Sequence, residues 1–110
     1  MNQLAQINAA RLPRCITHGS ARPGWVYAIR DDHSEAVKIG FSVNPSRRFG
    51  QLQTANPNPL RFIGAMPSVE AFERLLHWTY RERRRAGEWF DDADGEVSNI
   101  LYLAFSEGDE

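Results

Sequence analysis

The sequence predicts an α/β chain of the α+β kind: a small three-stranded, mostly antiparallel sheet flanked by helices. Three observations carry that expectation. Two aromatic and β-branched runs, residues 25–29 and 37–41, flank a short polar loop, the pattern of a β-hairpin. A third such run follows at 60–66, between two stretches whose apolar residues recur at helical spacing. Proline and asparagine fall at the junctions, where they end one element and start the next.

In order along the chain, residues 1–23 are polar and interrupted by Pro13, Gly19 and Pro23. They read as a leader segment, in which Leu4, Ile7 and Leu12 can form a short turn docked on the domain. The domain is expected over 24–105. Trp25-Val26-Tyr27-Ala28-Ile29 makes the first strand, Asp31-Asp32-His33-Ser34 the turn, and Val37-Lys38-Ile39-Gly40-Phe41 the second strand. Alternation places Lys38 on the other side of that strand from Val37, Ile39 and Phe41. Asn44 caps a helix opened by Pro45, because asparagine accepts from the free amides and proline at the first position forfeits no needed donor. Phe49 and Leu52 form its apolar edge. Asn56-Pro57-Asn58-Pro59 stops it near Ala55.

Leu60 to Met66 makes the third strand, ending at Pro67, with Ser68 as the cap of the next helix. That helix is expected to be the longest, from Val69 to Arg85, with Val69, Phe72, Leu75, Leu76 and Thr79 on its apolar stripe. Glu73, His77, Tyr80 and Arg84 lie on an adjoining stripe. After Ala86-Gly87 come Glu88-Trp89-Phe90 and a last short helix within 95–105, then an acidic tail, 106–110. Trp25, Trp89 and Phe90 are expected in the core, and His18 and His33 fall in loops.

Composition fits this size. The chain has 110 residues, 42% of them apolar, and a single cysteine, Cys15. No internal disulfide can form, so a reducing, cytoplasmic setting is the expectation, and no apolar run is long enough to cross a membrane. Net charge is −1, but basic residues cluster at Arg47-Arg48 and Arg81 to Arg85, and acidic ones towards the C-terminus. On charge alone Arg81 to Arg85 reads as a solvated helix end, where cations oppose the helix dipole favourably.

Val26-Tyr27-Ala28-Ile29, Val37-Lys38-Ile39-Gly40-Phe41-Ser42, Asn44-Pro45 with Arg48, and Leu52-Gln53-Thr54 form an ordered set. Glu73 and His77 follow, then a basic stretch, then Gly87-Glu88-Trp89-Phe90. Over residues 24–90 this set resembles the GIY-YIG nuclease superfamily. More narrowly it is similar to the branch typified by a phage open-reading-frame DNA-binding domain and by meiotically up-regulated gene products, whose second motif reads Lys-Ile-Gly. The resemblance implies the three-stranded GIY-YIG-like fold and a set of roles. The first-motif tyrosine falls on Tyr27 and the second-motif tyrosine on Lys38. The phosphate-contacting arginine falls on Arg48 and the metal-binding glutamate on Glu73. His77 belongs to the branch's own pattern, and Glu88 stands where the family has an asparagine.

These positions imply metal-dependent phosphodiester hydrolysis in DNA. Arg48 offers a planar fork for a phosphate, Glu73 can hold one Mg²⁺ or Mn²⁺, and Tyr27 or His77 can position or deprotonate water. Lys38 serves as base only if its proton is weakened, and otherwise binds phosphate. Arg47, Arg81 and Arg84 are the candidate backbone contacts on the nucleic acid. DNA is the expected partner, with a second copy or another protein where both strands are cut. Two competing readings are a DNA-binding module that has lost hydrolysis, and a small phage-type protein-interaction domain acting through the acidic tail.

Overall fold

The computed structural model describes residues 23–107, so the leader up to residue 22 and most of the acidic tail lie outside the described residues, and Pro23 belongs to the first strand instead. Strand β1, Pro23–Asp31, and strand β2, Ala36–Ser42, form the expected hairpin. Its turn is shaped by Asp31, whose Oδ1 accepts from the amides of His33 and Ser34, the local bonding that makes aspartate a turn residue. Helix α1, Pro45–Thr54, opens as predicted: the Asn44 side chain accepts from the Arg47 amide at 3.1 Å, and Pro45 takes the first turn. Gln53 then joins helix to sheet, donating to Asn58 O at 2.9 Å and accepting from the Leu60 amide at 2.7 Å.

Strand β3 runs Leu60–Val69, three residues past the expected end at Met66. It pairs with β1 alone and is an edge strand. Pro67 is tolerated there because an edge strand can leave one donor position unused. The next helix, α2, is shorter than expected. It spans Glu70–Thr79, and Val69, not Ser68, precedes it without a side-chain cap. The chain then takes a 3₁₀ turn, Arg81–Arg83, and two short strands, β4 (Arg84–Ala86) and β5 (Trp89–Asp91). Helix α3 closes the order at Glu96–Glu107.

The sheet therefore has five strands, in the order β3-β1-β2-β5-β4 and antiparallel throughout, instead of three. The α+β class stands; the strand count and the helix end at Arg85 do not. The reason is burial. Phe90 is fully buried on β5, and a phenylalanine gains about 2–3 kcal/mol from such burial. Reaching that position means turning back at Gly87, whose φ is +56°, a conformation that costs glycine little. Residues 84–86 are thereby drawn off the helix and paired with β5.

Two cores lie on the two faces of the sheet. On one, Val26, Ala28, Val37, Ile39 and Phe90 pack with Leu76 of α2 and Val97, Leu101 and Phe105 of α3. On the other, Tyr27, Ile29 and Leu60 pack with Phe49 and Leu52 of α1. No α1 residue is fully buried, so this helix rides on the sheet with one face open.

The charge runs resolve into pairs. Arg83 bridges Asp94 and Glu96, Arg85 binds Asp91, and Arg30 binds the buried Asp92. Most of the acidic stretch after Phe90 is thus internal counter-charge, and half of the basic run is committed to it. Among the described residues, no helix is long and apolar enough to cross a membrane.

Candidate functional site

The open face beside α1 and its border with α2 collect polar groups from four elements, β1, β2, α1 and α2, and from the turn after β4. Across the sheet, residues paired in register share a face. One such row is Ala65–Tyr27–Gly40 and the next is Pro67–Trp25–Ser42. Tyr27 is almost completely buried, and its ring leans over Gly40. A Cβ built at position 40 would overlap the Tyr27 ring carbon Cζ and the hydroxyl oxygen. Gly40 is required here because only a residue without a side chain lets that ring cross β2.

The Tyr27 hydroxyl bonds to Arg48, the exposed arginine of the first turns of α1. Burial raises the Tyr27 pKa above its ordinary value; Arg48 opposes the rise, while the charges of Glu88 and Glu73 add to it. At neutral pH the phenol keeps its proton, and its oxygen accepts from the Arg48 guanidinium, which can only donate. Arg48 also donates to Gln51 Oε1 at 3.3 Å.

Lys38 is buried on the α1 side of β2, as alternation predicts, with its ammonium 3.0 Å from Glu88 Oε1 and 5.7 Å from the centre of the Trp89 ring. Glu88 reaches this position because it precedes β5, where its carbonyl accepts from the Ile39 amide at 3.1 Å. Glu73 comes from α2. It is buried, and its pKa is raised to about 7, first by burial, then by the Glu88 charge and a hydrogen bond with Glu88. A carboxyl buried beside a second carboxylate holds its proton more tightly, and here that carboxyl is Glu73.

His77 sits one turn beyond Glu73. Its Nε2 lies 2.7 Å from Ile39 O and 3.9 Å from Glu73 Oε2, and its ring meets Phe90 edge-on. A carbonyl only accepts, so Nε2 carries a proton and is the donor. That contact occupies the β2 carbonyl just beyond the last β5 pair.

The structure thus gathers residues spread from position 27 to position 88 into two neighbouring sets, Tyr27 with Arg48 and Lys38 with Glu88, Glu73 and His77, close enough that the two carboxylates act on the Tyr27 phenol. Arg47 stands exposed beside Arg48. Arg81 and Arg84 have local contacts instead: Arg81 stacks 3.8 Å from the Trp78 ring, and Arg84 donates to Gly87 O at 2.8 Å. Two residues escaped the sequence reading. Gly40 holds a place for a ring, and Trp25, expected in the core, is 39% exposed. The available signal was alternation, which puts Trp25 on the face of Tyr27.

Among the described residues, no group of three or more His, Cys, Asp or Glu side chains is placed to hold a metal. The Glu73–Glu88 pair is suited to a hard cation such as Mg²⁺, which takes one or two carboxylates and completes its shell with water and phosphate. It is not suited to a cation needing a full protein cage.

Comparison with known proteins gives one match. The family model described as the T5orf172 domain matches residues 24–103. No curated protein and no solved structure matches the chain.

Proposed function

The chain belongs to the T5orf172 domain family, a phage-type family, and we propose that it is a metal-dependent DNA endonuclease of the GIY-YIG type. The observation that carries this reading is the convergence of Tyr27 and Arg48 with Lys38, Glu88, Glu73 and His77, the two carboxylates lying close enough to act on the Tyr27 phenol. A surface pair or a helix-end cluster would not draw in residues from both faces of the sheet and two helices.

Each residue then has a task. Arg48 binds non-bridging phosphate oxygens through its fork, with Arg47 beside it on the same strand. Tyr27, protonated and fixed by Arg48, donates to a phosphate or water oxygen and sets its direction. The Lys38 ammonium balances Glu88 and adds positive charge next to the phosphate. His77 is a positioning residue: its bond to Ile39 O holds α2 against β2, and with it Glu73. Glu73 and Glu88 are the residues that would hold Mg²⁺ or Mn²⁺, which when bound supplies a polarised water and neutralises charge at the phosphate.

A DNA-binding module without hydrolysis is the second reading, and one observation favours it. Lys38 is engaged with Glu88 at 3.0 Å and Tyr27 is pushed towards its protonated form, so neither motif residue is an evident base at neutral pH.

The deciding experiment is supercoiled-plasmid nicking by the purified protein with Mg²⁺ or Mn²⁺, beside Glu73→Ala and an EDTA control. Nicking lost in both controls is the expected result. Salt-sensitive DNA retention without nicking would favour the binding module, and neither nicking nor retention would remove DNA as the partner.

A further inference from the structure

Trp25 occupies the same face of β1 as Tyr27, two residues away. That separation is about 7 Å along a strand, on the scale of one nucleotide step. Its neighbours in the row are Pro67 and Ser42, neither of which can cover an indole. Trp25 is 39% exposed, Val43 67% and Val69 38%, and Pro67 is exposed as well. Isolated apolar residues on a surface are ordinary. Here Trp25 and Pro67 are cross-strand neighbours, Val69 follows Pro67 on the same face of β3, and Ser42 at the other end of the row leads through Val43 and Asn44 into α1.

The border of this patch is cationic. Arg47 and Arg48 are exposed on the first turns of α1, and Arg48 is bonded to Tyr27 in the adjacent row. An aromatic ring beside a phosphate-binding arginine matches the chemistry of a nucleotide strand, with base on ring and backbone on cation. A protein partner would want the apolar patch without two arginines at its rim that have no carboxylate partner among the described residues.

We infer that Trp25 is a stacking platform for an unstacked base next to the phosphate held by Arg48. This rests on the proposed function and specifies its substrate class: DNA with a base free to leave the duplex, such as a single strand, flap or mismatch. Intact duplex keeps its bases stacked and leaves Trp25 unused.

The test uses the full chain with an oligothymidylate and a duplex of equal length. Wild type is expected to bind the single strand more tightly and to show tryptophan quenching on binding. Trp25→Ala should weaken single-strand binding about tenfold and leave duplex binding within twofold. Trp25→Phe should retain most of the affinity while losing the quench, which covers the case of a misfolded alanine variant. Arg48→Ala should weaken binding of both. Salt-sensitive binding that is unaltered in Trp25→Ala, with the quench intact in Trp25→Phe, would overturn the stacking platform and leave the proposed function standing. An indole shielded from acrylamide in the free protein would mean that residues 1–22 or a second copy cover the face, and would also overturn it. Absence of salt-sensitive binding to either DNA would overturn both readings together.

Discussion

Two clusters of charge stand on opposite faces of β1, and they are built to opposite rules. Around Arg30, the fully buried Asp92 carboxylate is saturated. Its Oδ2 accepts from Arg30 Nε at 2.9 Å and its Oδ1 from the amides of Val97 and Ser98, while its carbonyl accepts from Arg30 Nη2 at 2.7 Å. That one side chain caps α3 and ties it to β1. Around Tyr27, by contrast, Glu73 and Glu88 are held against each other with Lys38 on one of them. The first cluster has balanced its charges internally; the second keeps two carboxylates close with a single ammonium on one of them. Buried charge therefore marks a structural tie when every oxygen has its donor, and a candidate site when it does not.

The sharpest way to break this comparison is Asp92→Ala. It leaves Arg30 with the exposed Asp32 alone and uncaps α3 at once, and removing one partner of a buried pair costs about 3–5 kcal/mol. We expect a large fall in the urea midpoint, approaching loss of folding for a domain of this size. A midpoint within experimental error of wild type would mean that the Asp92 cluster is not a structural tie.

Gly40→Ala comes next. The new methyl meets the Tyr27 ring, and overpacking of this kind costs about 1–3 kcal/mol. The expected signature is double: a moderate drop in stability, and loss of activity or binding out of proportion to it, because the Tyr27 hydroxyl no longer reaches Arg48. A stability loss with full activity would show that the ring can move aside without consequence.

The third effect is pH-dependent. Glu73 holds its proton more tightly folded, with a pKa of about 7 against an ordinary 4.5. Its contribution is therefore favourable below about pH 4.5 and is lost as pH rises through about 7. Because the pair is partly wet, the loss is on the order of 1–2 kcal/mol. Glu73→Gln should gain on wild type between pH 5 and pH 8 in parallel urea titrations. Mg²⁺ should restore wild type at pH 8 and leave the variant unmoved. A pH-independent difference between the two proteins would remove the like-charge pair from the site.

Much of this was legible before the structure. Alternation in 37–41 put Lys38 on the right face, Asn44-Pro45 fixed the start of α1, and the ordered motifs named all six members of the network. The misses share one cause. The end of α2 and strands β4 and β5 depend on Phe90 being buried and on Arg83 and Arg85 finding carboxylates 11 and 6 residues further along the chain, and local propensity carries no record of such pairings. Three-residue strands also have too few positions to show a period. Gly40 and Trp25 were missed because their roles depend on the cross-strand neighbour, Tyr27 for one and Ser42 and Pro67 for the other.

The smallest stability effect should come from Arg48→Ala, and its smallness makes it informative. Arg48 is exposed and gives up a hydrogen bond to Tyr27 and one to Gln51, so the fold should change by no more than about 0.5 kcal/mol. A structural arginine such as Arg30 would be felt throughout the unfolding curve; a phosphate-binding one is felt only when DNA is present. We therefore expect unaltered circular dichroism and urea midpoint, weaker DNA binding, and a shallower dependence of affinity on salt, since one fewer phosphate is neutralised. If Arg48→Ala instead destabilises the fold while binding DNA as wild type does, the two clusters are of one kind, and the network around Tyr27 is a second structural tie.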